Sequence, residues 1–372
     1  MRIGIDARMY GAKSTTGIGV YVKNLTDQLF ELDKTNEYFL FMREPGYSEF
    51  TPPNERIKKI RVNCRWYSLA EQFEMPKKLL QYNLDLVHFP HFNVPLLYPK
   101  KFIVTIHDIT PYFFPGPNVK KSVIKKLGYN LVFGQGIKRA KKIITVSNHT
   151  KDNLLKFFKV RPEKIEVIYL GIGPEYKEIN DQNKILAAKK AYNITKPFIL
   201  YTGVWRDHKN LPNLIKAFNL VKSRYRLDYQ LVLGGRPDPR YPEISLAIVN
   251  SPFKTDIIQP GFIQDFDLPL LYNAAEIFVL PSFCEGFGLV ALESLACGTP
   301  VVASNSTSLP EILQDSAIYF NPNNPAEMAE IINRVLTDQE LYINLKNRGL
   351  NQIKRFNWPA CAEKTLKIYE TT

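Results

Sequence analysis

Short apolar runs recur along the chain, each followed by a turn or glycine and then by apolar positions at helical spacing. The runs at 2–8 (RIGIDAR), 38–42, 85–89, 102–106, 142–147 and 165–170 predict one series of strands. Those at 198–202 (FILYT), 229–233, 257–258, 276–280 and 300–303 predict a second. Strands buried on both faces read as short continuous apolar runs, and their alternation with helical spacing predicts βαβ units on parallel sheets. Val22, Leu25, Leu29 and Leu32 give the helical spacing over 20–32. A chain of 372 residues exceeds what one core usually serves, so an α/β protein of two domains is expected. The polar stretch 178–190 reads as linker and helix, which sets an N-terminal domain at 1–178 and a C-terminal one at 190–354.

One stretch concentrates the chemistry. Residues 281–303 read PSFCEGFGLVALESLACGTPVVA, a helix between two strand-like runs, with Leu289, Leu292, Leu295 and Ala296 at helical spacing and Gly298 just past the last turn. Gly286 and Gly288 allow close approach of a ligand, and the free N–H groups of Phe287, Gly288, Leu289 and Val290 at the helix start attract an anion. Glu285 stands at the helix mouth, and Glu293 lies about 12 Å further along the axis at 1.5 Å per residue. Two carboxylates so placed can bind hydroxyls at opposite ends of a sugar–diphosphate–nucleoside.

The whole string, with its ACGTPVVAS tail, resembles the donor-binding motif of the retaining glycosyltransferases of family 4. That resemblance implies the GT-B fold, two Rossmann-like domains whose parallel sheets face across a cleft. It implies that Glu293 holds the donor ribose, that Glu285 lies by the transferred sugar, and that the Phe287–Leu289 backbone meets sugar and phosphate. DARMYGAKSTTGIGVYVKNL is similar to the family's first loop, in particular to mannosyltransferase-like members that carry TGIGRY. Gly17 and Gly19 are therefore counted with the donor-binding residues, and Val20 replaces the usual arginine. VHFPHFNVPL and TIHD resemble the segments that place His107 and Asp108 beside the transferred sugar and the acceptor. Residues 203–210, GVWRDHKN, are similar to the family's G-x5-K-N segment. This implies that Lys209 neutralises the donor phosphates, with Arg206 substituting for an arginine that many members carry at the position of Val204 and others at that of His208, and that Gly203 is a donor-binding residue. Gly261-Phe262-Ile263 resembles the loop that meets the nucleobase, which adds Ile263. Phe356-Asn357-Trp358 resembles the start of the family's final helix, so 355–372 are expected to pack back on the first domain.

Charge adds a surface to this picture. The formal net charge is +13, and residues 1–190 carry about 32 Lys and Arg against about 18 Asp and Glu, leaving the remainder near balance. Between Asp108 and Asp152 there is no acid, and Lys120, Lys121, Lys125 and Lys126 interleave with Val119, Val123, Ile124 and Leu127 behind the aromatic run 112–114. This reads as a basic amphipathic helix suited to an anionic bilayer or to the acceptor side. No nucleic-acid-binding motif accompanies it. The four cysteines are scattered without metal-ligand spacing, no apolar run reaches the ~18–20 residues of a membrane span, and no signal-peptide pattern opens the chain. These features lead us to expect a cytoplasmic protein, peripheral at the inner face of the membrane.

The expected activity is retaining, metal-independent hexosyl transfer without a cofactor. Mannose from GDP-mannose would pass to a glycan or polyprenyl-linked acceptor in polysaccharide assembly. Glu285, Arg206, Lys209, His107 and Asp108 form the expected catalytic set. The alternatives are a UDP-sugar donor, a nucleotide-sugar 2-epimerase, and a non-catalytic basic binding protein.

Overall fold

The computed structural model describes residues 1–10, 17–117 and 123–372, with 123–125 as backbone only. Its contacts divide the chain into two compact units, one formed by Met1–Gly171 together with Asn357–Thr372, the other by Ile172–Phe356.

The first unit is built on a seven-stranded sheet: β1 (Arg2–Asp6), β2 (Glu37–Met42), β3 (Ile57–Arg61), β4 (Leu86–Phe89), β5 (Phe102–Ile106), β6 (Ile143–Thr145) and β7 (Ile165–Val167). The strands lie in the order β3-β2-β1-β4-β5-β6-β7, every pair parallel. The second carries β8 (Phe198–Thr202), β9 (Gln230–Gly234), β10 (Ile257–Gly261), β11 (Ile277–Leu280), β12 (Val301–Ser304) and β13 (Ala317–Phe320). Its order is β10-β9-β8-β11-β12-β13, again all parallel. Both units are thus doubly wound Rossmann-like sheets. In each the strand order reverses next to the first strand, between β1 and β4 and between β8 and β11, and such switch points are where open α/β sheets bind ligands.

Central strands bury every residue, as in β5 and β8, because helices cover both faces. The edge strands β3 (IKKIR) and β13 (AIYF) were not foreseen. Each lies at the edge of its sheet with residues on both faces left partly exposed, so neither is a fully buried run. Leu69–Leu80 is a further helix without a legible pattern: it buries Glu71 and Met75 while Leu69 is 84% and Phe73 66% exposed. The basic segment forms a helix over Val123–Arg139. Lys120 and Lys121 lie outside the described residues, as does the side chain of Lys125, while Lys126 is exposed. Trp358–Thr371, capped by Asn357, belongs to the first unit, where the Tyr369 hydroxyl pairs with His88 Nδ1 at 2.8 Å. Among the described residues no helix is long and apolar enough to cross a membrane.

Candidate active site

At the switch point of the second sheet, the loops after β8 and β11 bring the expected polar residues together. After β8 the chain turns through Gly203 to a single 3-10 turn, Asp207–Lys209, whose end is fixed by Asn210 in the left-handed region (φ 57°). Asn210 Nδ2 donates to the carbonyls of Pro281 at 3.0 Å and Pro322 at 2.8 Å, and Phe283 N–H donates to His208 O at 2.8 Å. The two loops are therefore knitted by backbone and amide bonds before any charged side chain takes part. Gly235, which follows β9, has φ 121°, and a side chain there would run into the Gly203 carbonyl.

Lys209 Nζ donates to Glu285 Oε1 at 2.6 Å, and Ser282 Oγ donates to the same oxygen at 2.6 Å. Both charged side chains are only slightly exposed, 15% and 11%. The expected phosphate-binding lysine is thus held by the expected sugar-side carboxylate. Arg206 is exposed. His208, half-buried, has its pKa pushed down to about 3 by desolvation and by the neighbouring Lys209 and Arg206, so it adds no positive charge near neutrality.

Downstream, Gly286, Phe287 and Gly288 are buried, and the helix Leu289–Ala296 starts at Gly288 with no side-chain cap. Gly288 has φ 90°, where any other residue would be strained, and a Cβ on it would press on Leu309 Cδ2 at 2.6 Å. Leu289 and Val290 are half-buried in its first turn. Glu293 is 6% exposed and accepts from the Tyr272 hydroxyl at 3.1 Å, which itself pairs with Thr202 Oγ1 at 2.9 Å. Burial pushes the Glu293 carboxyl up to about 7, against the opposing effect of the Tyr272 hydroxyl. Tyr272 carried no signal of its own in the sequence, being one tyrosine inside an apolar helix. Ile263 is buried, and Arg236 lies over the neighbouring Phe262 ring at 5.4 Å.

In the first unit, His107 and Asp108 follow β5. His107 Nε2–H donates to Pro90 O at 3.0 Å, and the Tyr21 ring meets the imidazole edge-on at 4.8 Å. Burial lowers the His107 pKa, opposed by the Pro90 carbonyl and Asp108. Asp108 Oδ1 accepts from Thr110 N–H at 2.7 Å. Gly17 opens the helix Gly17–Leu32 and is exposed, whereas Gly19 is buried.

A buried ionic group beside these residues had no sequence signal. Arg8 donates to Asp6 at 2.6 and 2.8 Å and to Glu71 at 2.5 Å, and Asn93 Nδ2 donates to both Glu71 oxygens at 2.7 Å. These links join the loops after β1 and β4 to the helix Leu69–Leu80. His91, with Asp6, Arg8, Trp66 and Asn93, lines a small cavity there.

Comparison with known proteins gives a consistent picture. Residues 181–352 match the family described as glycosyl transferases group 1, and residues 15–176 match glycosyltransferase family 4. The chain is 30% identical to O-antigen chain mannosyltransferase B of Escherichia coli, over 82% of this chain and 79% of that protein. It is 29% identical to the serotype-specific mannosyltransferase WbdA of Escherichia coli over 76% of its length, spanning about a third (34%) of that longer protein. Among solved structures, sucrose-phosphate synthase from Thermosynechococcus elongatus superposes with a TM-score of 0.79 at 21% identity, covering 100% of this chain and 98% of that one.

Proposed function

This chain belongs to glycosyltransferase family 4 and has the GT-B type of fold, and on that premise we propose that it transfers a hexose, with retention, from a nucleotide-sugar to a glycan or lipid-linked acceptor in polysaccharide assembly. The observation that carries the reading is the gathering of Lys209, Glu285 and Glu293 around the carboxyl ends of β8 and β11. Glu293 accepts ribose hydroxyls, taking up the capacity that Tyr272 leaves open. The uncapped helix start at Gly288–Val290, with Lys209 and Arg206, supplies positive potential for the leaving diphosphate. An ammonium group has three donors, so Lys209 can hold Glu285 and a phosphate oxygen together. With that charge met by protein groups, the reaction needs no metal. Glu285, oriented by Lys209 and Ser282, faces the sugar and supports positive charge on it, while the acceptor attacks from the face the diphosphate leaves. His107 and Asp108 contribute on the acceptor side.

Mannose and GDP are the favoured sugar and nucleotide. Support comes from the two mannosyltransferases to which the chain is similar and from the TGIGVY string. Docking at the inner face of a membrane accords with the acid-free segment and with Tyr112 and Phe113, each 44% exposed. Their rings pack on Phe157, over which Lys156 sits at 5.3 Å. A thermal-shift series with GDP, UDP and ADP tests the donor, since a ligand at a hundredfold excess over Kd stabilises by about 2.7 kcal/mol. GDP is expected to raise Tm most, and stabilisation by UDP alone would overturn the choice.

A further inference from the structure

Two adjacent residues in the loop between β12 and the helix Leu309–Leu313 break local conformational rules, and both do so toward Glu285. Thr307 has φ 55°, the left-handed region that a β-branched side chain adopts only under strain. Ser308 occupies the N-cap of Leu309–Leu313 yet makes no capping bond, although serine at that position ordinarily accepts from the first turn. Their hydroxyls are spent elsewhere. Thr307 Oγ1 accepts from Glu285 N–H at 3.0 Å, and Ser308 Oγ donates to Glu285 O at 3.0 Å. A third hydroxyl of the same segment, Ser304 Oγ, donates to Ser282 O at 2.6 Å, and Ser282 in turn holds Glu285 Oε1. Ser282, Ser304 and Ser308 are all fully buried.

Glu285 is consequently gripped at its N–H, its carbonyl and one carboxylate oxygen, while Oε2 has no partner among the described residues. Glycine at 307 would give the backbone its positive φ without strain but could not accept from Glu285 N–H. A strained threonine beside a cap that does not cap is the pattern expected where local stability yields to a site.

We propose that Thr307 and Ser308 are positioning residues that fix the direction of Glu285 Oε2, and thereby set the rate of sugar transfer rather than the affinity for the donor. The proposal rests on the role given to Glu285 in the proposed function. Displacement of a reacting group by ~1 Å costs on the order of a hundredfold in rate, so loss of one clamp bond is readable in kcat.

The experiment compares Thr307→Gly, Thr307→Ser and Ser308→Ala with the parent, in thermal stability, donor KM, kcat and the hydrogen-exchange rate of the Glu285 amide followed by NMR. Thr307→Gly relieves strain and removes the hydroxyl. It is expected to melt at or above the parent, to keep KM within about threefold, and to lose about tenfold or more in kcat, while the Glu285 amide exchanges faster. Thr307→Ser keeps the hydroxyl and is expected to restore both kcat and amide protection. Ser308→Ala is expected to lower kcat in the same way. A parental kcat in Thr307→Gly, or an equal loss in Thr307→Ser, would overturn the proposal. Should the parent transfer no sugar from any nucleotide donor, the preceding reading fails, and the amide still decides this one: unchanged exchange in Thr307→Gly means that no clamp acts on Glu285.

Discussion

Replacing Glu293 by glutamine is expected to stabilise the protein in alkaline solution while weakening its hold on a nucleotide. The carboxyl is 6% exposed, and burial moves its pKa from the ordinary 4.5 up to about 7. In the unfolded chain it gives up its proton near 4.5, and in the folded chain it keeps it until about 7. The unfolded state therefore binds fewer protons across that window, and stability falls as pH rises through it. At about 1.36 kcal/mol per pH unit, the loss approaches 3 kcal/mol once pH exceeds 7, and it is absent below 4.5. Glutamine does not titrate and still accepts from Tyr272. Urea denaturation of parent and Glu293→Gln from pH 5 to pH 8 supplies the test, because the difference between the two proteins cancels the other titrating groups. That difference should grow by about 2–3 kcal/mol in favour of the variant. Parallel profiles would refute the reasoning and mean that the carboxylate is solvated or paired with a cation.

Four further outcomes are expected. Glu293→Ala is expected to weaken nucleoside diphosphate binding by roughly 1.5–3 kcal/mol, about ten- to a hundredfold, measured by calorimetry. Lys209→Met removes the cation from Glu285, and, if Lys209 also serves the leaving diphosphate as proposed, kcat should fall by about 10²–10³ in a radiolabelled transfer assay. Arg8→Met leaves Asp6 and Glu71 buried without their cation, so urea denaturation should show a loss of about 3–5 kcal/mol. Changing Lys120, Lys121, Lys125 and Lys126 to Glu should abolish co-sedimentation with anionic vesicles at low salt, each lysine counting for about 1 kcal/mol, and equal pelleting of the two proteins would refute the docking face.

The central strands were legible because a parallel strand covered on both sides is buried along its length and reads as a short apolar run, as FILYT and IFVL do. β3 and β13 escaped because an edge strand is only partly covered, and the charges of IKKIR are tolerated there. Within the candidate site, Glu285, Glu293 and Lys209 could be singled out as candidates because each sits in a local string with glycines at fixed offsets. Tyr272 and Thr307 could not, since each acts on a partner far away in the chain: Tyr272 on Glu293 and Thr307 on Glu285. The same holds for Glu71, whose carboxylate reads as one more charge on a helix until Arg8 and Asn93 are brought to it. Spacing within one element leaves a trace in sequence, whereas a hydrogen bond across a loop junction leaves none.

The helix Trp358–Thr371 completes the first unit, and its Tyr369 hydroxyl occupies one ring nitrogen of His88, a side chain with no exposure. On the ribosome, that partner arrives only after residues 172–356 have been made. At about 5–20 residues per second, the wait is roughly ten to forty seconds. Through that interval the first unit lacks its last helix, while the second unit is continuous in sequence. Birth order and completion order are thus reversed, and the half of the protein begun first is the last to be finished.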